Sequence, residues 1–352
     1  MNPLRVAVVG AGAIAQRNAT EAAASGACTI AGVVDLNVKV ARDMAQRLET
    51  RVFESYEQAL DSRDVDAVLI STPHHTHRPM VVAAAAAGKH VLVEKPMANT
   101  VADAEAMIAA CRRAGVSMTV NYSFRYLPRI QKARELVQAG AVGEVAGIQI
   151  ISHQFLDAGY WMGGKSNSPD DWRSSRAKCG GGHLIMVVCH AIDYMGFITG
   201  LRGTRVYCEY ENAASPGDIE DIYSISSRWG EKAIGTIAGS SMMRGGDVGE
   251  ERIWGTKGTI VMTGDTLSMY STRPIDGKRP GQVHLYKKFP TVSWTAEWVK
   301  RFVEAVRERK DPDISAREGW ENVAFIEGAY QSLEQHRPMV LPAYAEEALL
   351  CQ

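Results

Sequence analysis

The first 120 residues alternate short apolar runs rich in β-branched residues with alanine-rich stretches. The runs are LRVAVVG, TIAGVVD, DAVLIST, HVLVEKP and VSMTVNY, and helical spacing continues through Ala24, from Val38 to Leu48, from His77 to Ala87 and from Val101 to Ala114. Such a βαβ rhythm requires parallel strands, because each crossover helix returns the chain to the same end of the sheet. The pattern predicts a doubly wound parallel α/β domain over residues 1–124.

Beyond Tyr126 the alternation gives way to a succession of strands. After an amphipathic stretch from Pro128 to Ala139 come VAGIQIISHQF, TRVYCEYE, DIYSISSRW, AIGTIAGSS and GTIVMTG, and two helical stretches follow, from Ala296 to Arg309 and from Ala316 to Glu334. Strands with few helices between them indicate a large, mostly antiparallel open sheet. We predict an α+β domain over residues 125–342 and a C-terminal tail over 343–352.

Composition and charge exclude several classes of protein. A chain of 352 residues is long enough for two cores, and 39 basic against 40 acidic residues leave no excess of positive charge for nucleic acid. The apolar run from Val6 to Ala15 is broken by glycines and lacks both a cleavage signal and the length to span a membrane, so we expect neither a signal peptide nor a membrane anchor. The six cysteines show no CxxC spacing, which favours reduced thiols. We expect a cytoplasmic protein that binds neither nucleic acid nor membrane.

A glycine-rich turn follows the first strand and opens a helix. The turn runs from Gly10 through Gly12 to Ala15, in the context that makes a dinucleotide fingerprint of the Rossmann type specific. Gly10 permits the tight turn, and Gly12 lets the backbone approach a pyrophosphate at the helix N-terminus. Asp35 ends the second strand, where a carboxylate binds ribose hydroxyls and repels a 2′-phosphate. We predict NAD as cofactor, with NADP possible because Lys39 and Arg42 lie just after Asp35, although both also fit solvated positions on a helix.

Two further motifs follow predicted strands, at the sheet edge where open α/β sheets bind ligands. They are STPHHTH and EKP, and with them the chain closely resembles the Gfo/Idh/MocA family of oxidoreductases, of the sugar and cyclitol dehydrogenase type. The shared segments run nearly end to end: VAVVGAGAIA, STPHHTH, AAGKHVLVEKP, NYSFRYLP, VGEV, DWR, GGGHLIMVVCHAID, WGTKGTI and the closing FVEAV, REGWENVAF and AYQSLE.

The resemblance implies a chemical role for two residues. Lys95 would place its ammonium beside the nicotinamide and the reacting hydroxyl, where it polarises the developing carbonyl oxygen. Pro96 resembles the family's rigid turn, which is often cis. His190 stands where the family has its histidine, and we expect it to be the general base, since an unperturbed imidazole titrates near working pH. A buried structural histidine is the alternative.

The segment after Gly180-Gly181-Gly182 is predicted to be a helix that places His183, Met186, His190 and Asp193 on one face. Many relatives carry an aspartate where this chain has Met186, and a thioether cannot transfer a proton. His183 stands one turn earlier and could compensate for the missing carboxylate. The proton relay that the resemblance implies is therefore incomplete in this chain.

The resemblance implies two sets of binding residues. The cofactor set is Gly10, Gly12, Ala13, Ile14, Asp35, Leu36, Ser71, Thr72, Pro73, His74, His77, Glu94, Lys95, Pro96, Asn121, Arg125, Trp172 and Arg173. The substrate set is Lys95, Tyr122, Arg125, His153, Trp172, His183, Met186 and His190. For His153, and for the further candidates Gln154, Tyr160, Trp161 and Lys165, a plain loop or strand role fits equally well. No cysteine or carboxylate cluster joins the histidines of STPHHTH, so we expect no metal.

These residues predict a dehydrogenase that acts on CH–OH groups, with a hydride passing between nicotinamide and a secondary alcohol of a sugar, sugar derivative or cyclitol. A redox-neutral glycoside hydrolase that uses bound NAD for transient oxidation and elimination is the alternative. A binding or sensor protein is a third, against which Lys95 and His190 argue. The second domain would bind substrate, and an apolar outer face of its sheet would make a homodimer or homotetramer.

Overall fold

The structure, a computed structural model, describes residues 3–162 and 172–345. It divides into two compact units. One unit comprises Met1–Ser123, Ser293–Val323 and Tyr344–Gln352, and the other comprises Phe124–Val292 and Ala324–Ala343. The chain therefore enters the first unit more than once, whereas the sequence pattern suggested continuous domains.

Hydrogen bonds in the first unit show why the segment Ser293–Val323 belongs to it. The indole Nε1 of Trp298 donates to Thr119 Oγ1 at 3.0 Å, and that hydroxyl donates to the carbonyl oxygen of Ile314 at 2.8 Å. Trp298 and Thr119 are buried, so both polar groups need these partners. An amphipathic helix does not reveal in its own sequence which core it covers.

The first unit alternates strands and helices as the sequence pattern predicts. Its elements are β1 (Leu4–Val9), α1 (Ala13–Ala24), β2 (Cys28–Val34), α2 (Val38–Arg47), α3 (Tyr56–Asp61), β3 (Ala67–Ile70), α4 (His77–Ala86), β4 (His90–Val93), α5 (Val101–Ala114) and β5 (Met118–Val120). The five strands form a parallel sheet in the order β2-β1-β3-β4-β5. Strand β3 is buried throughout, which explains its continuous apolar run.

The second unit is built on a large sheet. The remaining elements in chain order, of which α10 and the start of α11 belong to the first unit, are α6 (Pro128–Gln138), β6 (Val145–His153), α7 (Ala158–Trp161), α8 (Arg176–Cys179), α9 (Cys189–Thr199), β7 (Gly203–Glu211), β8 (Ile222–Trp229), β9 (Ala233–Ser240), β10 (Val248–Gly255), β11 (Gly258–Thr263), β12 (Thr266–Ser271), β13 (Val283–Tyr286), α10 (Trp294–Glu308), α11 (Ala316–Glu334) and β14 (Met339–Val340). Within the described residues the sheet has nine strands, in the order β13-β12-β11-β10-β6-β9-β8-β7-β14.

The pairing in this sheet is antiparallel except for one central pair of strands. Strands β6 and β9 run parallel, with Gln149 opposite Thr236. Along β8, burial alternates residue by residue, so one face of the sheet is covered and the other is open. The predicted fold class, a parallel Rossmann sheet followed by a mostly antiparallel open sheet, is confirmed.

One helical stretch, Arg176–Thr199, is long and apolar enough to cross a membrane. Of its most apolar window, 78% is buried inside the protein, as in the core helix of a soluble protein. No other helix within residues 3–162 and 172–345 meets the same length and hydropathy criteria. Burial in the second unit therefore explains why this stretch is so apolar.

Candidate functional site

The turn between β1 and α1 requires glycine at one position and leaves a helix N-terminus open. Gly10 has a φ of +94°, and a Cβ there would lie 2.8 Å from the carbonyl oxygen of Ser71. A Cβ on Gly12 would meet nothing within 4 Å, and no side chain caps α1. Ala13 and Ile14 are exposed. The first-turn N–H groups therefore face outward, in an arrangement that fits a pyrophosphate.

The carboxylate of Asp35 is fixed by two backbone groups. Its Oδ2 accepts a hydrogen bond from the N–H of Ala11 at 2.7 Å, and its Oδ1 accepts one from the N–H of Asn37 at 2.7 Å. Each oxygen has a second lone pair with which to accept a ribose hydroxyl. Asp35 thus stabilises the glycine turn through Ala11. It lies at the end of β2, next to the fully exposed Leu36.

His77 connects the loops that follow β3 and β4. Its side chain is fully buried, with Nε2 at 3.0 Å from the carbonyl oxygen of Thr72 and Nδ1 at 3.0 Å from that of Pro96. Burial lowers the pKa of this imidazole, and the contacts with the two carbonyl oxygens oppose that fall. His74 is also buried, whereas Ser71, Thr72 and Pro73 are half-buried. The position of His77 favours a supporting role over direct cofactor contact.

The carboxylate of Glu94 accepts hydrogen bonds from three separate parts of the first unit. Its Oε1 accepts hydrogen bonds from Asn18 Nδ2 at 2.5 Å and Asn121 Nδ2 at 2.6 Å, and its Oε2 accepts one from the N–H of Lys95 at 3.1 Å. These donors satisfy a carboxylate that is almost wholly buried. The buried carboxylate of Glu94 therefore fixes the backbone of Lys95. The peptide bond between Lys95 and Pro96 is cis.

In the second unit, the predicted helix after the three glycines begins with a π-helical turn, Leu184–Val188, before α9. A π turn closes with i→i+5 hydrogen bonds and shifts the helical register. The expectation that His183 and His190 share one face of a continuous α-helix is therefore wrong. The contacts of the two imidazoles differ accordingly: His183 bonds Tyr223 at 3.0 Å, and His190 stacks on Phe124.

Glu220, which the sequence analysis did not single out, caps the start of this helix. Its Oε2 accepts a hydrogen bond from the N–H of Gly182 at 2.6 Å, and its Oε1 accepts one from the N–H of Leu184 at 2.9 Å. A Cβ on Gly182 would lie 1.9 Å from the carbonyl oxygen of Glu220. Burial raises the pKa of this carboxyl group, and the two backbone donors oppose that rise. The approach of Glu220 therefore explains Gly182, whereas a Cβ on Gly181 would lie 2.0 Å from the hydroxyl oxygen of Tyr330.

The 3₁₀ turn Ser123–Tyr126 supplies two residues that hold α9. The ring of Phe124 stacks on His190 with centroids 4.1 Å apart and an interplanar angle of 16°. Arg125 binds Asp193 through both oxygens, Nε to Oδ2 at 2.8 Å and Nη2 to Oδ1 at 2.6 Å. Both side chains of this ion pair are buried. The guanidinium of Arg125, which we expected to contact cofactor and substrate, thus forms an ion pair with Asp193.

Two family models match this chain. The model of the oxidoreductase family's NAD-binding Rossmann fold covers residues 4–122, and the model of the GFO/IDH/MocA C-terminal domain covers residues 130–261. The chain belongs to the Gfo/Idh/MocA oxidoreductase family. Its first unit accordingly carries an NAD-binding domain of the Rossmann type, as the fingerprint and Asp35 predict.

Relatives of this Gfo/Idh/MocA chain include named dehydrogenases. It is 26% identical to levoglucosan dehydrogenase of Pseudarthrobacter phenanthrenivorans over 60% of this chain and 51% of that protein, so the alignment spans about half of the relative's length. It is 24% identical to myo-inositol 2-dehydrogenase of Thermotoga maritima over 96% of this chain and 98% of that protein. A solved levoglucosan dehydrogenase in complex with NADH and levoglucosan superimposes with a TM-score of 0.86 at 21% identity, covering 97% of this chain and 100% of that one, which shows a shared fold.

The remaining candidate residues of this Gfo/Idh/MocA protein differ in accessibility. Tyr122 and Trp161 are fully buried, and Met186 is buried on the π turn. Trp172 and Arg173 lie in a 3₁₀ turn, where the guanidinium sits over the Trp172 ring at 4.8 Å. His153 is half-buried at the end of β6, and Lys165 falls outside the described residues. Within residues 3–162 and 172–345, no three His, Cys, Asp or Glu side chains form a metal-binding group.

Proposed function

We propose that this chain is an NAD-dependent dehydrogenase that oxidises a secondary alcohol of a sugar, sugar derivative or cyclitol. The observation that carries the proposal is the site in the first unit, where a lysine anchored by the buried Glu94 follows β4 of an NAD-binding sheet. Membership of a family that includes levoglucosan and myo-inositol dehydrogenases supports a polyol as substrate. Because these two relatives are named dehydrogenases, we favour net oxidation of the substrate over redox-neutral hydrolysis of a glycoside.

The residues at the turn after β1 would hold the dinucleotide. The open N-terminus of α1 would bind its pyrophosphate, and the remaining lone pairs of Asp35 would accept hydrogen bonds from the ribose hydroxyls. A 2′-phosphate would place negative charge beside Asp35, so NAD is preferred to NADP. Bound NAD supplies the hydride acceptor.

Lys95 and His190 would handle the charge and the proton of the reacting hydroxyl. The ammonium of Lys95 stabilises negative charge that develops on the substrate oxygen. The imidazole of His190 accepts the hydroxyl proton, with its ring plane set by the stacked Phe124. The neighbouring Asp193 is bonded to Arg125 and Met186 is a thioether, so aromatic stacking takes the orienting role that a carboxylate has in other relatives.

The test begins with a panel of levoglucosan, myo-inositol and common aldoses, each with NAD and NADP, in which the absorbance of reduced nicotinamide is followed. We expect at least one polyol to be oxidised with NAD. Lys95→Met should lower kcat by roughly 10² to 10⁴ without changing NAD affinity. Lys300→Met, at an exposed position on α10, is the matched control and should leave turnover unchanged. Product release from a glycoside without accumulation of NADH would support the hydrolase instead.

We further propose that the chain self-associates through the open face of its nine-stranded sheet. Large apolar side chains on these strands are exposed, among them Ile222, Ile234, Trp254, Val283 and Leu285. The indole of Trp254 packs against Gly147, where a Cβ would be 2.1 Å from the ring. A broad apolar surface of this kind favours a homodimer or homotetramer. Light scattering of the purified protein measures the mass, and a monomer at micromolar concentration would overturn this proposal.

A further inference from the structure

Three polar side chains form a hydrogen-bonded row across the sheet of the second unit. Tyr223 on β8 places its Oη 3.0 Å from His183 Nδ1, and His183 Nε2 lies 2.9 Å from Gln154 Nε2 just beyond β6. Strand β9 lies between these two strands, and a Cβ on Gly239 would be 2.0 Å from the Tyr223 hydroxyl. Glycine on the intervening strand therefore gives the phenol room to reach the imidazole.

The middle member of the row, His183, is a neutral imidazole with both nitrogens engaged. It has no exposed surface, and burial, followed by the nearby His153, lowers its pKa to about 4. The amide N–H of Gln154 donates to Nε2, so the ring proton is on Nδ1 and is donated to Tyr223 Oη. A histidine in this state does not act as a base at neutral pH. It holds the amide of Gln154 in one orientation instead.

Gln154 stands at the carboxyl end of the parallel pair β6 and β9. Its N–H donates to the carbonyl oxygen of Ser240 at 2.9 Å, and its own carbonyl oxygen accepts the N–H of Met243 at 3.1 Å. The side chain is half-buried, and among the described residues its Oε1 accepts no hydrogen bond. The row thus ends in a rigidly held hydrogen-bond acceptor just beyond the carboxyl end of β6.

We propose that Gln154 is a specificity-determining residue that accepts a hydrogen bond from a substrate hydroxyl other than the one oxidised, and that His183 is its positioning residue. The inference rests on the proposed function, because it assumes that the ligand of this site is a polyol. An oriented amide discriminates between hydroxyl patterns, since an analogue without the matching hydroxyl leaves the amide oxygen unpaired on binding.

The experiment compares Gln154→Met, His183→Phe and the double variant with the wild-type enzyme. Gln149→Met is the matched control, because Gln149 is a half-buried glutamine five positions earlier, on the strand β6 that leads into Gln154. The probes are myo-inositol, levoglucosan, D-glucose and their monodeoxy analogues. The measured quantity is the ratio of kcat/KM between each parent and each deoxy analogue. Binding of the same probes to the enzyme–NADH complex is measured in parallel by calorimetry.

We expect the wild-type enzyme to discriminate against one monodeoxy analogue by about 10-fold, the effect of one hydrogen bond. Gln154→Met should abolish that ratio at the same hydroxyl position while kcat for the deoxy analogue stays unchanged. His183→Phe should reduce the ratio, and the double variant should match Gln154→Met because the two residues act through one contact. Gln149→Met should keep the wild-type ratio. A merely structural defect would lower the values for parent and analogue equally.

Two outcomes separate this inference from the proposed function. If a polyol is oxidised and Gln154→Met keeps every wild-type ratio, the inference is overturned and the dehydrogenase assignment stands. If no polyol is oxidised but calorimetry shows a parent-to-deoxy ratio that Gln154→Met abolishes, the assignment fails and Gln154 still recognises the hydroxyl.

Discussion

Removing the charge of Asp193 tests whether the Arg125–Asp193 pair fixes the helix that carries His190. Both side chains are buried, with two hydrogen bonds of 2.8 and 2.6 Å between them. Asp193→Asn keeps the shape but removes the negative charge that Asp193 places against the buried guanidinium, which costs about 3 to 5 kcal/mol. For a unit of this size, that loss lowers Tm by roughly 6 to 20 °C.

The assay is thermal unfolding of the cofactor-free protein, followed by circular dichroism, with urea unfolding as a second measure. The control is Arg125→Met/Asp193→Leu, in which both charges are replaced by apolar groups. Apolar replacement of a buried pair is often neutral, so the double variant should regain most of the lost stability. A change below about 1 kcal/mol in Asp193→Asn, or a double variant no more stable than the single one, would refute the reasoning.

Three further changes test other parts of the account. Asp35→Ala should lower the ratio of kcat/KM for NAD to that for NADP by roughly 10-fold, because the repulsion of the 2′-phosphate is removed; an unchanged ratio would contradict the assignment. Gly182→Ala should lower the unfolding free energy by about 1 to 3 kcal/mol, because its Cβ meets the Glu220 carbonyl, whereas Gly249→Ala, which meets nothing, should not. Wild-type stability should fall as pH drops from about 6.5 to 4, by roughly 3 kcal/mol from His183 alone, since its pKa of about 4 means that only the unfolded imidazole takes up a proton in that window. His183→Phe should have a flatter stability profile over the same pH range.

The sequence predicts those elements of the fold whose side chains are mainly apolar. The runs LRVAVV and AVLI form β1 and β3, in which consecutive residues are buried, so both faces of these strands are covered. Strands β10, β12 and β13 were not predicted, and for β10 the reason is its charged run Glu250, Glu251 and Arg252. The π turn was also missed, since LIMVV reads equally well as an α-helix. Its register depends on the tertiary approach of Glu220 to the helix start.

The sequence predicts candidate site residues wherever chemistry-bearing residues follow a strand directly. Lys95 and Asp35 have that placement, and the turn at Gly10 shows the positive φ that its motif requires. The supporting contacts could not be read from the sequence, because their partners lie far apart in it. Asn18 reaches Glu94 from another element, and only the folded sheet brings them together.

The most direct test of the central claim is to follow deuterium from the carbinol carbon of an oxidised polyol. The account predicts that the deuterium appears at C4 of the reduced nicotinamide, one for each ketone formed, and that the labelled substrate reacts more slowly when hydride transfer limits the rate. Product formation with the deuterium released into water, or without any reduced nicotinamide, would contradict the account.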